Sequence, residues 1–267
     1  MPRELLTARL ERKTCISESA QCFHFEFVID ELEGFPFTSG QFISAVAKDA
    51  SGKQQTRAYS IASAARENRF ELCVNRVEGG FFSNHLADLP DLPVGGTIQL
   101  HGPHGYFVLQ QPVTDSILVA TGTGIAPMRG FLQSLFPENG PDLSDGKDIW
   151  LVYGTRHESE LYYRDEFEAL AKRVPNFHYL ATLSRAPEWP GLHGYVQEYV
   201  GQIVEERAAR LGQPLPQPAP DPAIPAKEQA YDIYTYICGL NNMVSAVRDK
   251  LTAYGWQRKQ IVFERYD

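Results

Sequence analysis

The sequence has few cysteines, and none is arranged as a metal or cluster site would require. Only four occur in 267 residues, Cys15, Cys22, Cys73 and Cys238, and no two form a Cys-x-x-Cys pair. Zinc and iron–sulfur sites need closely spaced thiolates, so we expect no metal. We expect all four cysteines to be reduced and unpaired.

Long apolar runs and an excess of positive charge are also missing. No window approaches the roughly 20 apolar residues of a membrane-spanning helix, and no signal-peptide core follows Met1-Pro2-Arg3-Glu4. The expected location is therefore cytoplasmic. The net charge of -8 argues against nucleic acid or an anionic membrane as the main partner, although a local basic patch can exist on an acidic protein.

Short β-rich runs, broken by Gly, Pro and Asp, fill the first part of the chain. They predict strands over 5–14, 22–29, 42–46, 70–77 and 97–100, a spacing typical of an antiparallel barrel or sandwich. A helix is predicted over 83–89 with Ser83 as its N-cap. Backbone N–H groups at the Gly79-Gly80 turn before it could bind an anion.

After Gln110-Gln111-Pro112 the pattern changes to strand–helix units. Strands are predicted over 116–120, 148–153, 177–183, 231–238 and 260–264, and helices over 127–136, 163–173, 196–207 and 243–254. This alternation predicts a parallel sheet covered by helices. We therefore predict two domains, an N-terminal antiparallel β-barrel (1–112) and an α/β parallel-sheet domain (113–267). The proline-rich stretch 213–225 is predicted to be an exposed loop.

One segment of the first domain, Arg57-Ala58-Tyr59-Ser60, combines a fixed cation, a flat aromatic ring and a hydroxyl. On a strand, Arg57 and Tyr59 share one face. Arg suits phosphate oxygens, Tyr can stack on a planar ring, and Ser60 can donate to a ring nitrogen. Taken alone, the segment is more typical of an ordinary barrel strand with an exposed Arg and a half-buried Tyr.

A glycine-rich segment, residues 121–127, opens the first helix of the second domain. Glycines let the backbone approach a ligand, and Pro127 suits a first helical turn. Ala126-Pro127 occupy the place of the third glycine of a dinucleotide fingerprint, so a tight βα turn without a ligand remains an alternative.

Further strand ends point to the same edge of that sheet. Thr155 and Arg156 end one strand, and Ser184 and Arg185 end the next. No Asp or Glu lies directly at the end of the second strand to bind a ribose diol, whereas a hydroxyl beside a guanidinium suits a 2′-phosphate. This favours NADPH over NADH, unless either arginine is only a solvated surface charge. Cys238 ends the fourth strand, and either faces a nicotinamide or is a small buried residue.

In this order the motifs resemble those of the ferredoxin–NADP reductase family, over nearly the whole chain. They are Arg57-x-Tyr59-Ser60, Gly80-x-x-Ser83, Gly102-Pro103-x-Gly105-x-Phe107, Gly122-Thr123-Gly124-Ile125-Ala126-Pro127, Tyr153-Gly154-Thr155-Arg156 and Cys238-Gly239. The resemblance implies a flavoprotein oxidoreductase that binds FAD and NADP(H). It implies hydride transfer to FAD N5 and one-electron exchange with ferredoxin or flavodoxin.

The resemblance also assigns roles in the FAD site. Arg57 would contact the FAD pyrophosphate, Tyr59 would stack on the isoalloxazine, and Ser60 would hydrogen-bond near N5. Residues with a flavin-lining or phosphate-binding role would be Cys73, Val74, Asn75, Gly80 and Ser83.

On the pyridine-nucleotide side, the resemblance assigns positions along the edge of the second sheet. Ser184 and Arg185 would bind the 2′-phosphate, and Tyr195 matches loosely a tyrosine near the adenine. The other NADP(H) contacts would come from Thr123, Gly124, Thr155 and Arg156.

The end of the chain departs from the plant members, in which a tyrosine is the last residue. Here Asp267 follows Tyr266, as bacterial members also carry a residue beyond the aromatic. Tyr266 would stack on the flavin face opposite Tyr59, and Glu264 would lie near the nicotinamide. Ser60, Cys238, Glu264 and Tyr266 are thus the catalytic candidates. A solvated tail is the alternative.

Two other functions remain open at this stage. Residues 188–196 resemble NADH-dependent reductase components of oxygenases, and a flavin-binding electron-transfer subunit without nucleotide turnover would share the flavin motif. A basic rim toward an acidic redox partner is conceivable, although scattered charges are usually just solvated. Its candidate residues are Arg9, Arg12, Lys13, Arg66, Arg69, Arg258 and Lys259.

Overall fold

The computed structural model describes residues 5–90, 95–213, 215 and 232–266. The predicted loop over 213–225 lies almost entirely outside these residues, as does Asp267. Within the described ranges, no helix is both long and apolar enough to cross a membrane.

The first sheet is antiparallel and six-stranded, as predicted, with strand order β4-β3-β6-β1-β2-β5. Beyond the end of β4, Ile61 bridges Leu72 of β5 and the Ala62 N–H donates to the Glu71 carbonyl at 2.8 Å, so the two outer strands meet and the sheet curls into a barrel. The strands are β1 (Leu6–Ser17), β2 (Cys22–Val28), β3 (Phe42–Lys48), β4 (Gln54–Ser60), β5 (Arg69–Asn75) and β6 (Thr97–His104).

Alternating apolar residues fill the interior of this barrel. Phe25 and Phe27 of β2 are almost fully buried, and the Phe27 ring stacks on Phe70 of β5 with centroids 5.4 Å apart. Because period-two alternation sends these rings inward, the intervening residues of β2 and β5 face the outside of the barrel.

The short helix α1 (Phe81–Ala87) begins earlier than predicted, and Ser83 is not its N-cap. The N-cap is Gly80, in extended conformation, and no side chain caps the helix. The Ser83 hydroxyl instead accepts the Val77 N–H at 3.0 Å and closes the turn that precedes the helix. This contact between residues six positions apart competes with the local capping geometry, which is why the cap prediction was wrong.

The second sheet is parallel throughout, as predicted, with strand order β10-β9-β8-β7-β11-β12. Its strands are β7 (Asp115–Thr121), β8 (Ile149–Thr155), β9 (Phe177–Leu183), β10 (Leu192–His193), β11 (Ile233–Gly239) and β12 (Ile261–Arg265). The connecting helices are α2 (Ile125–Leu135), α3 (Arg164–Arg173), α4 (Val196–Arg210) and α5 (Asn241–Ala253).

The strand order of this sheet determines where a ligand can bind. The chain runs outward from β7 through β8 to β9 and then returns to place β11 on the other side of β7. The loops after β7 and β11 therefore diverge at the carboxyl edge of the sheet. In open α/β sheets this reversal of direction is where ligands bind.

Contacts divide the chain into two compact units, residues 1–109 with 126–143 and residues 110–125 with 144–267. Most of α2 thus belongs to the barrel unit, where the Ser134 and Ser39 hydroxyls are 2.6 Å apart and the Gln133 amide oxygen accepts the Ala64 N–H at 3.1 Å. The predicted domain boundary at residue 112, with FAD bound by residues 1–112 and the pyridine nucleotide by residues 113–267, stays a prediction.

Candidate active site

The flavin motif lies on β4, where antiparallel pairing with β3 sets the side-chain directions. Arg57 is paired with Ala45 and Tyr59 with Ile43, so Arg57 and Tyr59 share a face. Arg57 is exposed and Tyr59 is half-buried, and burial raises the pKa of Tyr59 to about 12 against the opposing charge of Arg57. The phenol is neutral at physiological pH and offers its ring as a stacking surface. Ser60, also half-buried, ends the strand.

The neighbouring strand β5 carries the other flavin-lining candidates. Val74 packs in the barrel core. Cys73 is buried with its Sγ 3.7 Å from that of Cys22, and none of the four cysteines forms a disulfide, as expected. Asn75 ends the strand, and its buried Oδ1 has no hydrogen-bond partner among the described residues. A buried acceptor of this kind is costly unless a ligand N–H pairs with it, so this strand end fits a flavin.

Gly80 must be a glycine for steric reasons. A Cβ there would lie 2.8 Å from the Ser83 Oγ and 3.1 Å from the Val77 carbonyl. Gly80 and Ser83 therefore form one tight turn, and a side chain at residue 80 would open it.

The two loops at the switch point of the second sheet are in direct backbone contact. A Cβ on Gly124 would lie 2.1 Å from the Cys238 carbonyl oxygen, and a Cβ on Gly239 would lie 2.3 Å from Thr121 Oγ1. That Thr121 hydroxyl is buried without a partner in the described part of the chain. An unsatisfied hydroxyl beside a glycine-lined edge fits a polar ligand such as a dinucleotide. Thr123 lies between these glycines, half-buried in a 3-10 turn.

Three catalytic candidates cluster beside these loops. Cys238 is paired in register with Glu264 and is fully buried, and burial, with the Glu264 charge, holds the pKa of its thiol well above the ordinary value. Cys238 is therefore a neutral thiol. Tyr266 donates its hydroxyl to the Thr121 carbonyl at 2.8 Å and its N–H to the Gly239 carbonyl at 3.4 Å, so this last aromatic is attached to the sheet edge.

Two exposed arginines meet at the ends of β8 and β9. The Arg185 N–H donates to the Arg156 carbonyl at 3.0 Å, and the Ser184 N–H and hydroxyl both donate to the Thr155 carbonyl, at 3.0 and 3.3 Å. Neither guanidinium has a carboxylate partner within the described ranges. The edge therefore presents two exposed guanidiniums on residues joined through their backbones, and no carboxylate of the described residues compensates either charge. Tyr195, 65% exposed, lies just before α4.

One residue of this edge had no role in the sequence analysis. Tyr153 is fully buried on β8, and its hydroxyl lies 3.0 Å from the Gly122 carbonyl and 3.2 Å from the Glu160 carbonyl. The motif that contains it was recognised, but nothing in the spacing indicates that its hydroxyl reaches a loop 31 residues away.

Most of the barrel cations considered for a basic rim are neutralised. Arg9 forms a two-bond ion pair with Asp30, and Lys13 donates to the Ala87 and Leu89 carbonyls. The other engaged pairs are Arg12 with Glu26 and Arg69 with Glu11. These side chains hold the barrel surface together and do not form an open basic rim. No group of three or more His, Cys, Asp or Glu among the described residues could hold a metal ion.

Comparison with known proteins assigns both halves of the chain. An oxidoreductase FAD-binding domain family matches residues 7–109, and an oxidoreductase NAD-binding domain family matches residues 118–249. A ferredoxin–NADP reductase B of Sorangium cellulosum is 37% identical over 88% of this chain and 87% of its own length. The toluate 1,2-dioxygenase electron transfer component of Pseudomonas putida is 28% identical over 88% of this chain, which spans 60% of that relative.

Solved structures agree on the fold. A ferredoxin–NADP+ reductase of Neisseria gonorrhoeae with bound FAD and NADP superposes with a TM-score of 0.75 at 22% identity, over 98% of both chains. With the matched FAD- and NAD-binding domains, this identifies an FAD-dependent NAD(P)H oxidoreductase. The chain belongs to the ferredoxin–NADP reductase family.

Proposed function

We propose that the protein oxidises NADPH and passes the electrons, through FAD, to a ferredoxin or flavodoxin. When bound, FAD supplies hydride acceptance at N5 and release of single electrons. The observation that carries the NADPH assignment concerns Arg156 and Arg185, which a backbone hydrogen bond joins at the carboxyl edge of the second sheet. Both side chains are exposed, and neither has a carboxylate partner among the described residues. A phosphomonoester is the ligand that such a pair binds best.

Residues 1–112 hold the flavin in this proposal. Arg57 binds the pyrophosphate, the neutral ring of Tyr59 stacks on the isoalloxazine, and Ser60 donates near N5. The unpartnered Oδ1 of Asn75 supports this assignment, because it needs an N–H donor. Cys73 and Val74 contribute backbone contacts, and the turn formed by Gly80 and Ser83 binds phosphate.

Residues 113–267 hold the pyridine nucleotide. Thr123 and Gly124 meet the dinucleotide at the switch point, Thr155 and Arg156 flank it, Ser184 and Arg185 bind the 2′-phosphate, and Tyr195 stacks near the adenine. The uncharged thiol of Cys238 and the neighbouring Glu264 and Tyr266 bound the nicotinamide end. The protein contributes alignment, since reacting atoms must approach to roughly 3–3.5 Å.

A basic surface on the second unit supports the proposal that the electron acceptor is an acidic redox protein. Arg248 of α5 and Arg265 of β12 both lie over the exposed ring of Phe263, at 4.3 and 5.1 Å from its centroid. Neither arginine has a carboxylate partner in the described segments. Such a surface attracts a negatively charged partner even though the whole chain is acidic. The lack of a disulfide among the four cysteines supports a cytoplasmic location.

Anaerobic titration tests the proposal as a whole. NADPH should bleach the flavin absorbance at about one equivalent, and a candidate ferredoxin or flavodoxin should restore it. A flavin that NADPH cannot bleach would instead support an electron-transfer subunit without nucleotide turnover.

Replacing Arg57 by alanine should weaken FAD binding about tenfold to a hundredfold, because charge-assisted hydrogen bonds to a pyrophosphate are lost. The measurement is the FAD dissociation constant from fluorescence titration of the apoprotein. The control is Arg66→Ala, which removes another exposed arginine of the same unit. Unchanged FAD affinity in the Arg57→Ala protein would overturn the pyrophosphate assignment.

Replacing Arg185 by alanine should lower the preference for NADPH over NADH by at least about tenfold, with little change for NADH, since only NADPH carries the 2′-phosphate. Stopped-flow rates of flavin reduction with each nucleotide give the ratio. Arg258→Ala removes an exposed arginine at the opposite edge of the sheet and should leave the ratio unchanged. A variant that keeps its NADPH preference would contradict the assignment.

A second candidate function is an NADH-dependent reductase component of an oxygenase system. It is favoured by the likeness to the toluate dioxygenase component and by residues 188–196. A wild-type preference for NADH in the same stopped-flow experiment would select it.

A further inference from the structure

Two tyrosine hydroxyls hold consecutive carbonyl groups of the loop after β7. Tyr266 donates to the Thr121 carbonyl at 2.8 Å. The single hydroxyl hydrogen of Tyr153 is shared between the Gly122 carbonyl at 3.0 Å and the Glu160 carbonyl at 3.2 Å. They come from opposite sides, since Tyr153 lies on β8 and Tyr266 follows β12, which flank β7 and β11 in the sheet.

These hydrogen bonds determine which way the peptide groups of the loop face. In a trans peptide the N–H points opposite to the C=O. The Thr121 carbonyl shares its peptide with the Gly122 N–H, and the Gly122 carbonyl shares its peptide with the Thr123 N–H. With both carbonyls directed at the tyrosines, both N–H groups point away from them.

The orientation matters because carbonyl oxygens repel phosphate and N–H groups attract it. Gly122 has a left-handed φ of +53° and no atom lies within 4 Å of the place a Cβ would take, so hydrogen bonds to its carbonyl, and not side-chain packing, hold this peptide in its orientation. The Gly122 carbonyl also accepts the Ile125 N–H, so the Tyr153 hydroxyl fills its second lone pair.

We propose that Tyr153 is a positioning residue that turns the Gly122 and Thr123 N–H groups toward the diphosphate of the pyridine nucleotide, acting with Tyr266. This role of Tyr153 rests on the proposed function, in which the loop after β7 binds the pyridine nucleotide. Tyr153 itself touches no ligand, since it is fully buried.

The test is the Tyr153→Phe holoenzyme, which keeps the ring and loses the hydroxyl. Two probes are titrated and followed by flavin difference spectra, NADP+ and adenosine 2′-monophosphate, which lacks the diphosphate. The dissociation constant for NADP+ should rise about fivefold to tenfold, and that for adenosine 2′-monophosphate should stay within about twofold. The FAD content and the urea midpoint should match wild type.

Tyr236→Phe is the matched control. Tyr236 is an equally buried tyrosine of β11 in the same unit, and its hydroxyl accepts the Gln110 N–H at 2.8 Å, away from the loop. This variant should bind NADP+ as wild type does.

Three results would overturn the positioning role of Tyr153. They are unchanged NADP+ binding, equal weakening of both probes, and a loss of FAD or of urea resistance that accounts for the weakening. If the wild type prefers NAD+, the comparison is made with NAD+ and adenosine, which lacks the diphosphate that is common to both dinucleotides. A wild type that binds no dinucleotide would instead refute the proposed function, and the inference with it.

Discussion

Replacing Gly124 by alanine is expected to raise the KM for NADPH by about a hundredfold or more while FAD stays bound. The added Cβ would lie 2.1 Å from the Cys238 carbonyl oxygen and 2.7 Å from the Tyr266 hydroxyl. Because the Cys238 atom is backbone, it cannot rotate away, and the loops after β7 and β11 must separate. A displacement of about 1 Å at a reacting site can cost a hundredfold in rate.

Steady-state kinetics with NADPH and the FAD content of the purified variant measure this effect. The control is Gly146→Ala in the same unit, at a glycine with a φ of +68° and nothing within 4 Å of the added Cβ. It should cost about 1–2 kcal/mol in stability from the left-handed backbone and leave the KM unchanged. A Gly124→Ala protein with a KM within threefold of wild type would show that the two loops do not form the nucleotide site.

Replacing Arg129 by methionine is expected to destabilise the barrel unit by about 3 kcal/mol, because it leaves a largely but not fully buried carboxylate without its cation. Arg129 of α2 and Glu71 of β5 form an ion pair with side-chain exposures of only 11% and 16%, and Arg129 also donates to the Ala62 carbonyl at 2.7 Å. The His24 Nε2 lies 3.5 Å from the same Glu71 carboxylate. The loss is a large part of the roughly 5–15 kcal/mol that stabilises a typical domain.

Urea unfolding can follow the two units separately. The three tryptophans, Trp150, Trp189 and Trp256, all lie in the second unit, so FAD release reports on the barrel and tryptophan fluorescence on the parallel sheet. In the Arg129→Met protein, only the urea midpoint of FAD release should shift, and that of tryptophan fluorescence should not. A shift of less than about 1 kcal/mol would mean that the pair does not stabilise the barrel.

Two further variants separate charge burial from the loss of a contact. Removing both charges, in Arg129→Met with Glu71→Met, should recover most of the stability, because no buried charge is left unpaired. Arg9→Met breaks a two-bond ion pair with Asp30 that is open to solvent, and it should leave the urea midpoint nearly unchanged.

The secondary structure was predictable because its signals are local. Alternating apolar residues and glycine or proline breaks located strands such as β2 and β9, and strand–helix alternation indicated the parallel sheet. The N-cap of α1 was predicted wrongly because the Ser83 hydroxyl bonds to Val77, a contact that local preference does not contain. The two-residue strand β10 is too short to leave a periodic signal.

In the candidate site, too, local sequence motifs were predictable and contacts between distant residues were not. Ordered motifs identified Arg57, Tyr59, Gly124 and Arg185 as ligand-binding candidates, and parallel pairing requires strand ends to share an edge. The role of Tyr153 could not be predicted, because its hydroxyl reaches Gly122 only after β8 pairs with β7. For the barrel arginines the tertiary structure removed a predicted role instead of adding one. Arg9 was a candidate for an open basic rim, and the fold places it against Asp30.

By itself, the sequence determined the family, the two kinds of sheet and the chemical identity of the groups available to FAD and a pyridine nucleotide. These depend on residue type and short-range order along the chain. Only the tertiary structure decided which charges are neutralised, which glycines cannot carry a side chain, and which hydroxyls hold the loop after β7. Each of those depends on distances of about 3 Å between atoms that are far apart in sequence, and such distances exist only once the sheets have formed.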